Sequence, residues 1–382
     1  MGERLDELKR DCRWFRSERP CTPAKLRGKT CAACDEYAPS PPSVAVVKLA
    51  AVGDVLRTTA FVPSIVAAWP DHRLHWVTSP EAAPLLLGNP DIHAVWPIEA
   101  ETLPDVLLHE AMDAVLCPDA DPRTAGLAAR LPLRAGGRRV GFTVGGRGLV
   151  EPLSDAAERW FRLGVDDAAK RANRETYQDL VGAVLGLPGP VRDRPGLHLS
   201  AAERDAARHW LTAQGAVPGL LVGLNTGAGG RWPRKQWTPE GQRALIEAVA
   251  RRGGRVVLLG GPQERERHAR LLDDAPEGAV VDAGNDNDLR GFAARLGLCD
   301  VLVTGDTMAL HMATALRVPV VALFGPTSSA EIELYGDGAK VFDETLDCLV
   351  CYSTCDRSPS CMDRIDVDMV LQALDRVAPR RA

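Results

Sequence analysis

The sequence predicts an α/β protein built from two doubly wound units, each a mainly parallel sheet flanked by helices. Three features carry that expectation. Short apolar runs at 43–49, 220–225 and 301–303 read as buried parallel strands, because a strand covered on both faces loses polar–apolar alternation. Each run stops at glycine together with the hydroxyl or carboxylate residues that begin helices. A proline- and glycine-rich stretch, 186–195, then breaks the pattern and separates two halves of similar architecture that show no sequence repeat.

With 382 residues the chain is long enough for two domains, and its 45% hydrophobic and 25% charged content is that of a soluble globular protein. A net charge of −5 gives no global attraction for nucleic acid. No apolar run approaches bilayer length, and the first residues lack a signal-peptide core, so a cytoplasmic protein is expected, able to work at a membrane surface if its substrate is lipid-linked.

Residues 1–42 form a polar extension that ends in APSPP, a linker composition. The first unit spans 43–190. Its first strand leads into Gly53, which permits a close turn, and Asp54, at the start of a helix running to Ala68. A carboxylate at a strand's C-terminal edge is where open α/β sheets place working residues, although it also serves simply to stabilise a helix start. Further strands are expected at 74–77, 94–97, 114–117 and 139–142.

The second unit spans 191–382 and opens with a helix at 201–214. Its first strand ends in TGAGGRWPRKQW (226–237), and glycines with a hydroxyl and cations after a strand suit a phosphate cradle. A strand at 255–259 closes on GGPQE (260–264). The run 301–303 is followed by Asp306 and Thr307 at an expected N-cap, with His311 one turn on along the same face, and then by a strand at 320–324 opening into Gly325. Free N–H groups and a positive dipole end at that helix start suit a phosphate, while an ordinary βαβ unit whose cap residues only cap has the same spacing. A dinucleotide fingerprint is missing, since 49–57 hold one glycine, and no GxxxxGK[ST] loop occurs.

Ten cysteines are many for a reducing compartment, and eight fall in two terminal groups: Cys12, Cys21, Cys31, Cys34 and Cys348, Cys351, Cys355, Cys361. Such groups suit structural zinc or iron, while packed or unliganded thiols remain the plainer alternative. Cys117 and Cys299 stand alone and read as small buried apolar residues.

In the motifs VKLAAVGDVLRTT (47–59), PLLLGNPD (84–91), KQW (235–237), DTMALH (306–311) and VPVVALFGPT (318–327), taken in order across about 43–375, the chain resembles the ADP-heptose:lipopolysaccharide heptosyltransferase family. The resemblance implies a GT-B fold of two facing Rossmann-like domains, acceptor on the N-terminal one and nucleotide sugar on the C-terminal one. It implies an inverting, metal-independent transfer of heptose from ADP-heptose to a lipopolysaccharide core or related glycan, with no cofactor needed for the chemistry. By the same resemblance Asp54 is the general base. Thr226, Gly227 and Lys235 hold the donor diphosphate, Glu264 meets the nucleoside, and Asp306, Thr307, Met308 and His311 form the phosphate-binding helix start. The family usually has glycine where Met308 stands, which leaves the donor's identity open. The N-terminal cysteine arm lies outside the family pattern, whereas the C-terminal one looks like a tail of many relatives.

Asp119, Asp121, Asp286, Asp288, Asp366 and Asp368 imitate D-x-D sites but read as solvated carboxylates. Trp69, Trp76 and Trp96 suit either core or acceptor face. Arg123, Arg130, Arg134, Arg138, Arg139 and Arg147 suit either an anionic acceptor or a solvated rim. A donor other than ADP-heptose, a protein acceptor, and a non-catalytic sugar-nucleotide-binding or metal-sensing module are the rival functions.

Overall fold

The computed structural model describes residues 4–99, 107, 110–215, 219–229, 233–352, 355 and 357–378. Two six-stranded sheets dominate it. In the first, β1 (Ser43–Val47), β2 (Arg73–Thr78), β3 (Ala94–Pro97), β4 (Met112–Cys117), β5 (Leu133–Val144) and β6 (Val150–Pro152) lie in the order β3-β2-β1-β4-β5-β6. All pairs are parallel except β5 with β6. In the second, β7 (Leu221–Asn225), β8 (Arg255–Leu259), β9 (Val280–Asp282), β10 (Val301–Gly305), β11 (Val320–Leu323) and β12 (Gly338–Val341) lie in the order β12-β11-β10-β7-β8-β9, all parallel.

The expected strands are all present, and the apolar runs are buried because helices cover both faces: β1 and β10 are buried at every residue. Trp76 has no exposed surface, so the core alternative holds for it, and Trp69 packs against the same cluster. Trp96 lies partly buried at the sheet edge, its indole N–H donating to His75 Nδ1 at 3.1 Å. Three short edge strands, β6, β9 and β12, lie outside the expected set; β6 and β12 carry no apolar run, and β9 has only the three-residue run 279–281. The helix expected from Asp54 to Ala68 is two α-helices, Val52–Thr58 and Val62–Ala68, joined by a 3₁₀ turn at Thr59–Phe61. The final helix, Val367–Val377, returns to the second sheet and buries Val370, Ala373 and Leu374. No helix among the described residues is long and apolar enough to cross a membrane.

Candidate active site

Strand order reverses between β1 and β4 in one sheet and between β7 and β10 in the other, and an open α/β sheet offers its crevice at such a point. The helix Val52–Thr58 leaves β1 at the first reversal, and the helix Met308–Leu316 leaves β10 at the second. These two helices face each other. A Cβ on Gly53 would lie 3.0 Å from His311 Cδ2 and 3.2 Å from Met308 Cα, so the approach needs a residue without a side chain. Leu56, one turn on, enters the apolar cluster of the second half beside Ala309 and Leu310. Hydrogen bonds also join the halves: Gly196 N–H to Thr59 Oγ1 at 2.7 Å, Tyr177 N–H to the Glu331 carbonyl at 3.0 Å, and Arg290 Nη1 to the Pro84 carbonyl at 2.9 Å. Gly53→Val is expected to hold the two helices apart and lower kcat by roughly ten- to a hundredfold, since a displacement near 1 Å misaligns reacting groups. Steady-state kinetics beside a melting curve measure it; an unchanged kcat removes the close approach from the argument.

Asp54 sits in the first turn of its helix and pairs with Arg57 Nη2 at 2.9 Å. Burial pushes the Asp54 carboxyl up, but Arg57, Lys48, His311 and the Ala51 backbone outweigh it and hold it well below the usual carboxylate range. Arg57 lies over the Tyr177 ring, 3.7 Å from its centroid, and its Nε finds no partner among the described residues. Lys48, buried at the end of β1, donates to Asp119 Oδ1 at 2.6 Å and to the Ala50 carbonyl at 2.5 Å. Burial and Arg57 push His311 down to about 4, so its imidazole is neutral at neutral pH.

On the facing side Lys235 Nζ donates to Asp306 Oδ2 at 3.0 Å and to the Asp306 carbonyl at 3.2 Å. Burial raises the Asp306 carboxyl, but Lys235 and His311 more than reverse that and lower it. Thr307 is the N-cap residue as expected, but its hydroxyl does not cap. Instead it meets Asn225 Nδ2 at 3.2 Å and Thr304 Oγ1 at 3.1 Å, which ties β7 to β10 across the strand reversal. Glu264 is buried and accepts the Gly261 N–H at 2.9 Å. It packs against Gly227, where a Cβ would come within 2.4 Å of Glu264 Cδ. Asp54 and His311 thus interact across the close approach of Gly53 to Met308, Lys235 and Asp306 pair and both act on His311, and Thr307 meets Asn225, whose amide also donates to the Gly227 carbonyl. Residues 230–232 of the expected cradle lie outside the described residues.

Thr226, expected to help hold the donor diphosphate, turns its hydroxyl inward. Its side chain is buried and bonded to His268 Nε2 at 2.9 Å, with His268 Nδ1 3.0 Å from Asp282 Oδ1. Asp282 is acceptor-only when ionised, so the proton of that contact sits on His268 Nδ1. The Thr226 hydroxyl is thus committed inward, while its N–H donates to the Leu259 carbonyl at 3.0 Å and its carbonyl accepts from Arg267 Nη1 at 3.0 Å. His268→Ala leaves Thr226 and Asp282 short of partners and is expected to cost about 2–4 kcal/mol in stability, read from denaturant unfolding; a cost below 0.5 kcal/mol contradicts this account.

Sequence reasoning assigned no role to Arg57, Lys48, Tyr177, His268 or Asp282. Lys48 and Arg57 had a signal: one is a lone cation in an apolar strand, the other stands three residues after Asp54 on a helix. His268 and Asp282 had none.

Among the D-x-D lookalikes, Asp121, Asp288 and Asp366 cap helices and Asp286 pairs with Arg265 on the surface. Asp119 corrects the solvated reading, since it is the largely buried partner of Lys48. Part of the arginine stretch serves the fold: Arg139 donates to the Ala129 carbonyl at 3.0 Å, and Arg138 lies over Trp69. Cys117 and Cys299 are buried as expected. Cys348, Cys351, Cys355 and Cys361 line one cavity, with Arg234 and Pro326 beside them. Burial first, then the other three cysteines, pushes the Cys361 thiol up to about 11. Cys12, Cys21, Cys31 and Cys34 line a second cavity. No group of three or more His, Cys, Asp and Glu among the described residues is set to hold a metal ion.

The sequence profile of glycosyltransferase family 9 (heptosyltransferase) matches residues 157–361. The chain is 26% identical to lipopolysaccharide heptosyltransferase 1 of Pseudomonas aeruginosa over 340 residues, covering 84% of this chain and 89% of that protein. Among solved structures, the glycosyl transferase family 9 protein of Veillonella parvula superposes with a TM-score of 0.70 at 19% identity, over 88% of this chain and 97% of the other. The ADP-heptose lps heptosyltransferase II of E. coli gives 0.66 at 20% identity, over 88% and 98%.

Proposed function

We propose, for a chain that belongs to glycosyltransferase family 9, the heptosyltransferases, an inverting transfer of heptose from ADP-heptose to a lipopolysaccharide core sugar. It is a glycosyltransferase; the donor, acceptor and stereochemistry are our reading. The observation that carries it is the contact of Gly53 with His311 and Met308, which brings Asp54 of one sheet up to the Lys235–Asp306 crevice of the other.

In this mechanism the acceptor hydroxyl oxygen attacks the anomeric carbon from the face opposite the diphosphate. The new C–O bond forms as the bond to the diphosphate breaks, and the hydroxyl proton passes to Asp54. ADP leaves with its charge met by Lys235 and by the backbone N–H groups of the helix that starts at Met308, with no metal ion required. Neutral His311 adds a hydrogen-bonding group to the crevice without a second charge. The acceptor is held at a membrane surface by its own lipid and approaches the face bearing Asp54. The unit boundaries near residues 42 and 190 are read as those of the N-terminal extension, acceptor and donor domains.

We read the C-terminal cysteines as ligands of a structural zinc or iron: their four thiols line one cavity and are the donor type such an ion takes, although they do not stand at ligand spacing. Their place beside Pro326 and Arg234 would fix the loop after β11 next to Lys235. Met308 favours a second reading, a donor other than ADP-heptose, because its side chain stands where the helix start meets the diphosphate.

A thermal-shift series of ADP-heptose, ADP, UDP-sugars and GDP-sugars in EDTA tests the proposal. ADP-heptose and ADP are expected to raise Tm, with stabilisation of about 2.7 kcal/mol at a hundred times Kd. A rise with another nucleotide alone discards the ADP donor, and a rise abolished by EDTA discards the metal-independent site.

A further inference from the structure

We infer that Cys12, Cys21, Cys31 and Cys34 form a tetrathiolate site for one metal ion, zinc or iron, that folds the N-terminal arm. The function proposed above makes no use of this arm. Between residues 4 and 42 only Pro23 is buried among the described residues, so the arm has almost no apolar core. A segment of that size without a core relies on a metal or on disulfides. Yet the arm closes on itself. Cys12 forms an antiparallel bridge with Pro39, the Arg13 N–H donates to the Ala38 carbonyl at 2.8 Å, and the Ser40 N–H to the Asp11 carbonyl at 2.7 Å. Its end meets the first sheet where the Arg73 N–H donates to the Pro42 carbonyl at 2.7 Å.

The four thiols come from three separate pieces of this loop. Cys12 lies on the bridge, Cys21 precedes the helix Thr22–Arg27, and Cys31 and Cys34 share a turn with the two-residue gap that lets adjacent thiolates chelate one ion. All four line a single cavity that Trp14, Phe15, Pro23 and Tyr37 close. They are free thiols. An apolar wall around soft donors excludes competing water, and cations suit the charge: residues 4–42 hold nine Lys and Arg against six Asp and Glu. The sulphurs line the cavity but do not stand at ligand spacing, so binding has to draw them together: each thiol would lose its proton, and the binding energy would be folding energy.

The test uses the full chain purified without air. Elemental analysis compares the unmodified protein with the double variants Cys31→Ser/Cys34→Ser and Cys348→Ser/Cys351→Ser. The N-terminal variant is expected to lose about one zinc or iron per chain, whatever the C-terminal variant does. Equal metal content in the unmodified protein and the N-terminal variant overturns the site. Because that variant alters the arm itself, a second measurement keeps the native sequence: alkylation mapped by mass spectrometry with and without a strong chelator. Protection of Cys12, Cys21, Cys31 and Cys34 together, released together by chelator, is expected. Alkylation indifferent to chelator, or the mass deficit of disulfides, rejects it.

Discussion

Asp54→Asn is expected to lower kcat by about 10³-fold or more while leaving the affinity for ADP within about threefold, because the change removes the proton acceptor and keeps the shape of the site. The amide is close in volume to the carboxyl and still accepts from Arg57, so the 2.9 Å contact survives in weakened form. The native carboxylate is a weak base at rest, since Arg57 and Lys48 hold its pKa down. That is compatible with general base catalysis if proton transfer is late: the acceptor hydroxyl becomes strongly acidic only as its oxygen bonds to the anomeric carbon. The sign follows for pH. A depressed pKa keeps Asp54 ionised down to acid below the ordinary carboxylate value near 3.9, so its limb of the rate profile lies below that value. Arg57→Met removes the largest of the lowering influences and leaves burial, which raises the pKa, so the limb moves to higher pH. Retained turnover in Asp54→Asn, or an acid limb that stays put in Arg57→Met, would falsify the assignment of the base.

How far the chain can be read without coordinates depends on what each residue is paired with. β1, β10 and β11 are legible because continuous apolar runs admit few alternatives to a buried strand. The positions of Asp54 after β1 and of the 306–311 segment after β10 are legible because each follows such a strand at a point where the strand order reverses. Thr226 shows the limit. Its position after β7 is right, but the direction of its hydroxyl is decided by His268, 42 residues away, and no local pattern marks that partner. The same holds for Asp119, which looks like a loop carboxylate until β4 sets it beside Lys48, the residue after β1. Gly53 reads as a turn residue from sequence; the structure gives it a different reason, the nearness of a helix from the other half. What sequence hides is pairing at long range, and Lys235 with Asp306, Lys48 with Asp119 and Thr226 with His268 are such pairs.

Lys235→Met is expected to reduce kcat by about 10²–10³-fold and to weaken ADP binding as well, a different signature from Asp54→Asn. Lys235 is held by Asp306, at 3.0 Å from the carboxylate and 3.2 Å from the carbonyl. A diphosphate arriving at the start of the Met308–Leu316 helix brings more negative charge than Asp306 alone, and the lysine stem lets the ammonium reach both. The largest gain then falls where charge grows most, on the departing diphosphate, so the lysine contributes more to the transition state than to the bound donor. Lys235→Arg tests geometry apart from charge: a planar guanidinium keeps the charge but not the compact ammonium, and partial recovery is expected. Removing Lys235 also leaves Asp306 buried without its main cation, which raises that carboxyl's pKa and lowers stability at neutral pH. A double-mutant cycle with Asp306→Asn separates the two effects. If Lys235→Met and Lys235→Met/Asp306→Asn are equally slow, the loss belongs to the reaction; if the second change restores turnover, Lys235 serves only to neutralise Asp306, and the leaving-group role fails.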